Sequence, residues 1–123
     1  MNPAPGFAKH PDHTIEIEPA GHPVSILVDG EEIATSGHAL VMKEASYPPV
    51  YYIPAEDIPG DLLAASDHTS HCPFKGDASY WDLLAGSERS ENAVWSYRSP
   101  YDEVSAIKGH VAFYGSAATI RPG

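Results

Sequence analysis

One cysteine, Cys72, is present in 123 residues, so no disulfide can form within the chain and nothing points to an oxidising compartment. Long apolar runs are missing too. None approaches the roughly 20 residues that a membrane span requires, and the opening MNPAPGFAKHPDH lacks the apolar middle of a secretory signal. A cytoplasmic location and no membrane partner are the expectations. Basic residues are scarce, with 7 Lys and Arg against 17 Asp and Glu for a formal net charge of −10. Phosphate backbones repel such a chain, so nucleic acid is not an expected partner.

Turn formers are abundant by contrast. The chain carries 12 Pro and 10 Gly, more than a helix-rich domain tolerates, and its length suits one domain that buries roughly two-thirds of the unfolded chain's surface. Residues 1–13 include three prolines and no regular apolar period. They are expected to form a flexible N-terminal arm, with residues 14–123 as a single β domain.

Within that domain TIEIE alternates, and VSILVDGEEIATS holds two alternating runs about Asp29-Gly30. Asp-Gly is a strong hairpin signal, because a type I′ turn needs positive φ at both central positions. HALVMKEA is assigned as strand. VYYIP follows the extended Tyr47-Pro48-Pro49, and Pro54 closes it because proline cannot donate to a central ladder. AEDIPGDLLAAS is the candidate helical insertion, with Asp61 capping residues 62–65. DASYWDLL, AVWSYRSP, GHVAFYG and ATIRP complete about seven to nine short strands. An all-β, compact antiparallel half-barrel or two-sheet, tent-like domain is the expected fold, and its edge strands can pair with a second copy of the chain.

The segment DHTSHCPFKGDASYW, residues 67–81, gathers the candidate chemistry. His71 and Lys75 flank Cys72, and nearby positive charge turns a thiol into a nucleophile. Neighbours on an extended strand face opposite sides, so His71 reaches the sulfur only through a turn at Pro73. Packing carries more weight than catalysis for Cys72, since cysteine is among the residue types most often fully buried. His68 and His71, with Asp67 and Cys72, supply mixed ligands at His-x-x-His spacing, which by itself is weak evidence for a metal. No cofactor or functional metal is expected.

The order GEEIATS, YYIPAEDI, HTSHCPFKGDASYW and AVWSYRSPYDEVSAIKGHVAFYG resembles the domain-of-unknown-function family numbered 427, sometimes labelled nucleotidyltransferase-like, from about Thr14 to Arg121. The resemblance implies a small all-β domain in which two sheets meet around an open pocket. Its motif positions fall on Tyr52, Pro54 and Asp57, on Thr69, Cys72, Pro73, Lys75 and Gly76, and on Tyr80, Trp81, Trp95, Tyr97, Phe113 and Tyr114. Those relatives of that fold that bind zinc usually do so through paired cysteines, and this chain has one cysteine in total. Nucleotidyl transfer needs two or three carboxylates holding magnesium against a triphosphate. Gly86-Ser87 is followed by ERSENAVWSYRS, without the Asp-x-Asp pair of that chemistry.

Tyr52, Asp57, Thr69, Cys72, Lys75 and Trp95 are therefore the expected ligand-binding set, around an aromatic-lined pocket for a small molecule. Lys75 would anchor an anionic group, in a positive cluster with Arg98 and Lys108. The alternatives are an enzyme acting through Cys72 or through a metal held by His68 and His71, or nucleotidyltransferase-like activity.

Overall fold

The computed structural model describes residues 3–86 and 89–122. Among the described residues ten strands follow one another: β1 (Ile15–Pro19), β2 (Val24–Val28), β3 (Glu31–Ser36), β4 (Leu40–Glu44), β5 (Val50–Pro54), β6 (Leu63–Cys72), β7 (Gly76–Leu83), β8 (Ser90–Tyr97), β9 (His110–Phe113) and β10 (Thr119–Pro122). They form a seven-stranded sheet in the order β1-β4-β5-β9-β8-β7-β6 and a three-stranded sheet in the order β10-β2-β3. Every pairing is antiparallel. The fold is all-β and stops short of a closed barrel. No described helix is long and apolar enough to cross a membrane.

Asp29 and Gly30 join β2 to β3 with φ of 53° and 81°, the left-handed pair that a type I′ turn requires. All five residues of β2 are buried, because this middle strand is held between its two neighbours and the larger sheet. Val24, Ile26 and Val28 meet Ile53, Leu83, Val94, Val111 and Phe113 in the core between the sheets. The opposite face of the seven-stranded sheet carries a second cluster, in which Met42, Tyr52, Tyr80 and Tyr97 lie beside Val104 and Ile107. Those last two come from a 3-10 segment, Asp102–Ile107, which covers one end of that face.

Two features of the β domain depart from the sequence reading. Residues 63–65, expected to be helical with Leu62, are strand. Two single 3-10 turns, Ala55–Asp57 and Gly60–Leu62, each follow a proline, no side chain caps either one, and the chain enters β6 at Leu63. The ladder to β7, with Leu63 opposite Leu83 and Ala64 opposite Asp82, outweighs the weak helical preference of so short a segment. β6 also raises the strand count above the expected seven to nine. It is a polar edge strand, LAASDHTSHC, whose outer residues are largely exposed, so no apolar alternation marks it in the sequence.

The segment ahead of Thr14, expected as a loose arm, is packed where it is described. Ala4 and Gly6 are buried, and residues Gly6–Lys9 form one helical turn. The Ala4 amide donates to Glu103 Oε1 at 2.9 Å, and the Gly6 amide donates to the Pro73 carbonyl at 2.9 Å. Phe74 receives Phe7 edge-on at 5.1 Å and stacks on the His13 ring at 3.9 Å. Residues 1 and 2 of the expected arm lie outside the described residues.

Candidate functional site

Alternation on the strands assembles the site. Leu40, Met42 and Glu44 occupy one face of β4, and the register sets Leu40 opposite Tyr52 and Met42 opposite Val50 on β5. On the same side of the sheet, Tyr80 of β7 lies opposite Trp95 of β8, and Trp95 opposite Ala112 of β9. Ala112 is fully buried and small, which leaves room between the rings on either side.

Directly after Glu44 the chain turns, with Ala45 at φ 46° and the Tyr47 amide donating to the Glu44 carbonyl at 2.9 Å. That turn brings Tyr47 and Pro48 to the rim. The result is a chamber of about 200 Å³ walled by Met42, Val50, Tyr52, Tyr80, Trp95 and Tyr97, with Glu44 and Lys75 on its polar side and Tyr47 and Tyr114 at its mouth. It shares the Glu44, Lys75, Trp95 and Tyr114 walls with a broader groove of about 890 Å³ that continues past Phe113 and Gly115 to Ile120.

Ring geometry is fixed by contacts between the walls. Trp95 stands perpendicular to Tyr52 at 6.5 Å, with its indole Nε1 donating to the Tyr52 hydroxyl at 3.4 Å, and tilts against Tyr114 at 4.7 Å. Ser70 Oγ and the Tyr80 hydroxyl are hydrogen-bonded at 2.8 Å. Burial pushes the Tyr52 phenol up to about 12 and raises Tyr97 as well, so both walls stay neutral at physiological pH.

The polar side is a hydrogen-bonded triad built on the Lys75–Glu44 ion pair. Lys75 Nζ donates to Glu44 Oε1 at 2.6 Å, and His13 Nε2 lies 2.8 Å from Glu44 Oε2. The side chains of His13, Glu44 and Lys75 keep only 17%, 16% and 14% of their exposure. Burial alone would raise the Glu44 carboxyl, but the hydrogen bonds from Lys75 and His13 outweigh it and hold the group below its ordinary range.

The triad also explains the shape of the larger sheet. β4 lies second in the strand order and the β6–β7 hairpin that carries Lys75 lies at the far end. Twist accumulated over seven strands curls the sheet until these ends approach. Side chains, not a strand pairing, bridge the gap: Lys75 to Glu44, and Phe74 to His13.

Of the six residues expected around the pocket, Tyr52, Lys75 and Trp95 line the chamber. Cys72 is half-buried and packs on the tyrosine cluster from outside the lining. Asp57 lies elsewhere, where Ser36 Oγ donates to its carboxylate at 2.6 Å and ties the end of β3 to the Ala55–Asp57 turn. Thr69 is exposed on edge strand β6. Lys75 is therefore paired rather than free, and neither Arg98 nor Lys108 joins it. The Arg98 guanidinium lies over the Trp81 ring at 5.4 Å, and Lys108 is exposed.

The histidines expected as low-weight metal candidates also have other contacts. His68 lies edge-on to Tyr80 at 4.5 Å, and His71 Nδ1 is 2.7 Å from Asp77 Oδ1. Among the described residues no three His, Cys, Asp or Glu side chains converge as a metal-ligand group. Glu44 is the one carboxylate along the chamber and groove among the described residues, whereas magnesium-assisted nucleotidyl transfer uses two or three. Ser87, of the Gly-Ser pair weighed for that chemistry, lies outside the described residues.

Glu44, His13, Tyr80 and Tyr114 belong to the site, and the pocket set read from the sequence omitted them. A signal for Glu44 was present, because Leu40, Met42 and Glu44 share one strand face and the last puts a charge on an otherwise apolar row. Nothing local marked His13, which reaches the site through the packed N-terminal segment.

The family described as Domain of unknown function (DUF427) matches residues 16–121, and the chain belongs to that family. No curated protein matches the chain.

Proposed function

We propose that this protein binds a small molecule whose flat, apolar body lies among the rings of the chamber and whose oxygen-bearing end, a carboxylate or other acceptor, meets Lys75. One observation carries the reading: Tyr47 and Tyr114 stand 66% and 46% exposed at the mouth of an aromatic chamber. Exposed rings that converge on a concave apolar wall with a few placed polar groups are what small-molecule sites use, and a ligand there would cover them.

The chamber alone is small for a ligand, and the adjoining groove supplies the remaining length. Lys75 Nζ carries three N–H donors and spends one on Glu44. The other two are available to an acceptor oxygen. His13 stays on the far oxygen of Glu44 and keeps that carboxylate in place.

Indole serves as the probe. Titrated at millimolar concentration, it is expected to raise the thermal midpoint of the wild-type protein and to shift the NMR resonance of the Trp95 indole N–H. Tyr114→Ala removes a ring at the mouth and is expected to weaken both responses severalfold while the protein still folds. If indole leaves the midpoint and the Trp95 resonance unchanged, this reading fails.

A further inference from the structure

We infer that the polar end of the chamber selects a small zwitterion, such as an α-amino acid with an apolar side chain, and discriminates against ligands carrying one charge. This rests on the chamber being the binding site proposed above. The ground is the 2.6 Å contact between Lys75 and Glu44, both largely buried at 14% and 16% exposure.

A singly charged ligand disturbs that pair. An anion that accepts from the remaining Lys75 N–H groups sets a second negative charge beside Glu44, with one ammonium to oppose both. A cation that draws on Glu44 leaves the Lys75 ammonium without its counter-charge. Either outcome leaves a charge without a full counter-charge beside two largely buried side chains, and an unopposed charge in such a place is costly.

A ligand with both charges avoids this loss. Its carboxylate faces Lys75, its ammonium faces Glu44, and the site remains neutral with every charge opposed. In an α-amino acid the two charged groups sit on one carbon. Their close spacing suits a protein pair in direct contact, and the side chain on the same carbon is free to enter the rings of Tyr52, Tyr80 and Trp95. Tyr47 and Tyr114 line the same chamber, and aromatic rings attract an ammonium.

Three probes share a benzyl body and differ in the charged groups they carry: L-phenylalanine has both, 3-phenylpropionate lacks the ammonium and 2-phenylethylamine lacks the carboxylate. By calorimetric titration at neutral pH, L-phenylalanine is expected to bind at least tenfold more tightly than either analogue. In Glu44→Gln the preference passes to 3-phenylpropionate, and in Lys75→Met it passes to 2-phenylethylamine. Equal affinity for all three in the wild-type protein overturns the charge selection and leaves the aromatic pocket standing. Binding of none of them, with indole also inert, overturns both. Variants that fold and keep the wild-type order of preference also overturn it, because Glu44 and Lys75 would then not set that order.

Discussion

Glu44 and Lys75 lie 31 positions apart in sequence, and their side chains meet at 2.6 Å across the open side of the curled sheet. This contact joins strand β4 to the β6–β7 hairpin at a place where the backbones do not pair. It does so beside the chamber, so the same two residues close the half-barrel and form its polar end.

Removing one partner tests the structural half of that role. Lys75→Met leaves Glu44 largely buried without its main counter-charge and is expected to cost about 3 kcal/mol in denaturant unfolding. Glu44→Gln with Lys75→Met is expected to cost less than the two single changes added, since the double variant strands no charge. Strict additivity would mean that the pair is not coupled.

Acid should weaken the fold partly through Glu44. Its carboxyl titrates below the ordinary 4.5 in the fold, so as pH falls below 4.5 the unfolded chain takes up this proton first. Stability present above that pH is lost as pH drops through the folded-state value. The stability of Glu44→Gln, followed by urea midpoints from about pH 5 to pH 3, is expected to fall less steeply than that of the wild type.

Alkali acts through Tyr52 with the opposite sign. The phenol is pushed from its ordinary 10 up to about 12, so between those values the unfolded chain releases a proton that the folded chain keeps. Stability is full below pH 10 and declines as pH rises through the window. Tyr52→Phe lacks the titrating group and is expected to show a shallower decline, whatever its stability at neutral pH.

The N-terminal segment is held by a close backbone approach at Gly6. A β-carbon there would lie 2.7 Å from a Phe74 ring carbon and 2.9 Å from the Pro73 carbonyl oxygen, and a backbone oxygen cannot swing aside as a side chain can. Gly6→Ala is expected to lift the segment, costing about 1 to 2 kcal/mol and speeding limited proteolysis between Pro5 and Thr14. An unchanged cleavage rate would mean that the segment is not docked through this contact.

Cys72 is a packing group at the margin of the tyrosine cluster. Cys72→Ala is expected to cost about 1 kcal/mol and to leave indole binding intact. Iodoacetamide is expected to modify Cys72 more slowly in the native protein than in denaturant. Rapid native labelling that also abolishes indole binding would instead put the thiol in the site.

Local chemistry in the sequence determined much of this molecule. Alternation marked β1 to β3, Asp29-Gly30 specified its hairpin through two positive φ angles, and the adjacent aromatics of β5 and β7 sent one ring of each pair, Tyr52 and Tyr80, to the chamber side, while Trp95 and Tyr97, two apart on β8, both face it. β6 escaped notice because an exposed polar edge strand has no apolar period. The placing of Glu44 against Lys75, and of His13 beside them, belongs to the tertiary structure alone. Those contacts join opposite ends of a seven-stranded order, and whether the ends meet depends on twist summed across the sheet and on the docking of the N-terminal segment, which no local pattern records.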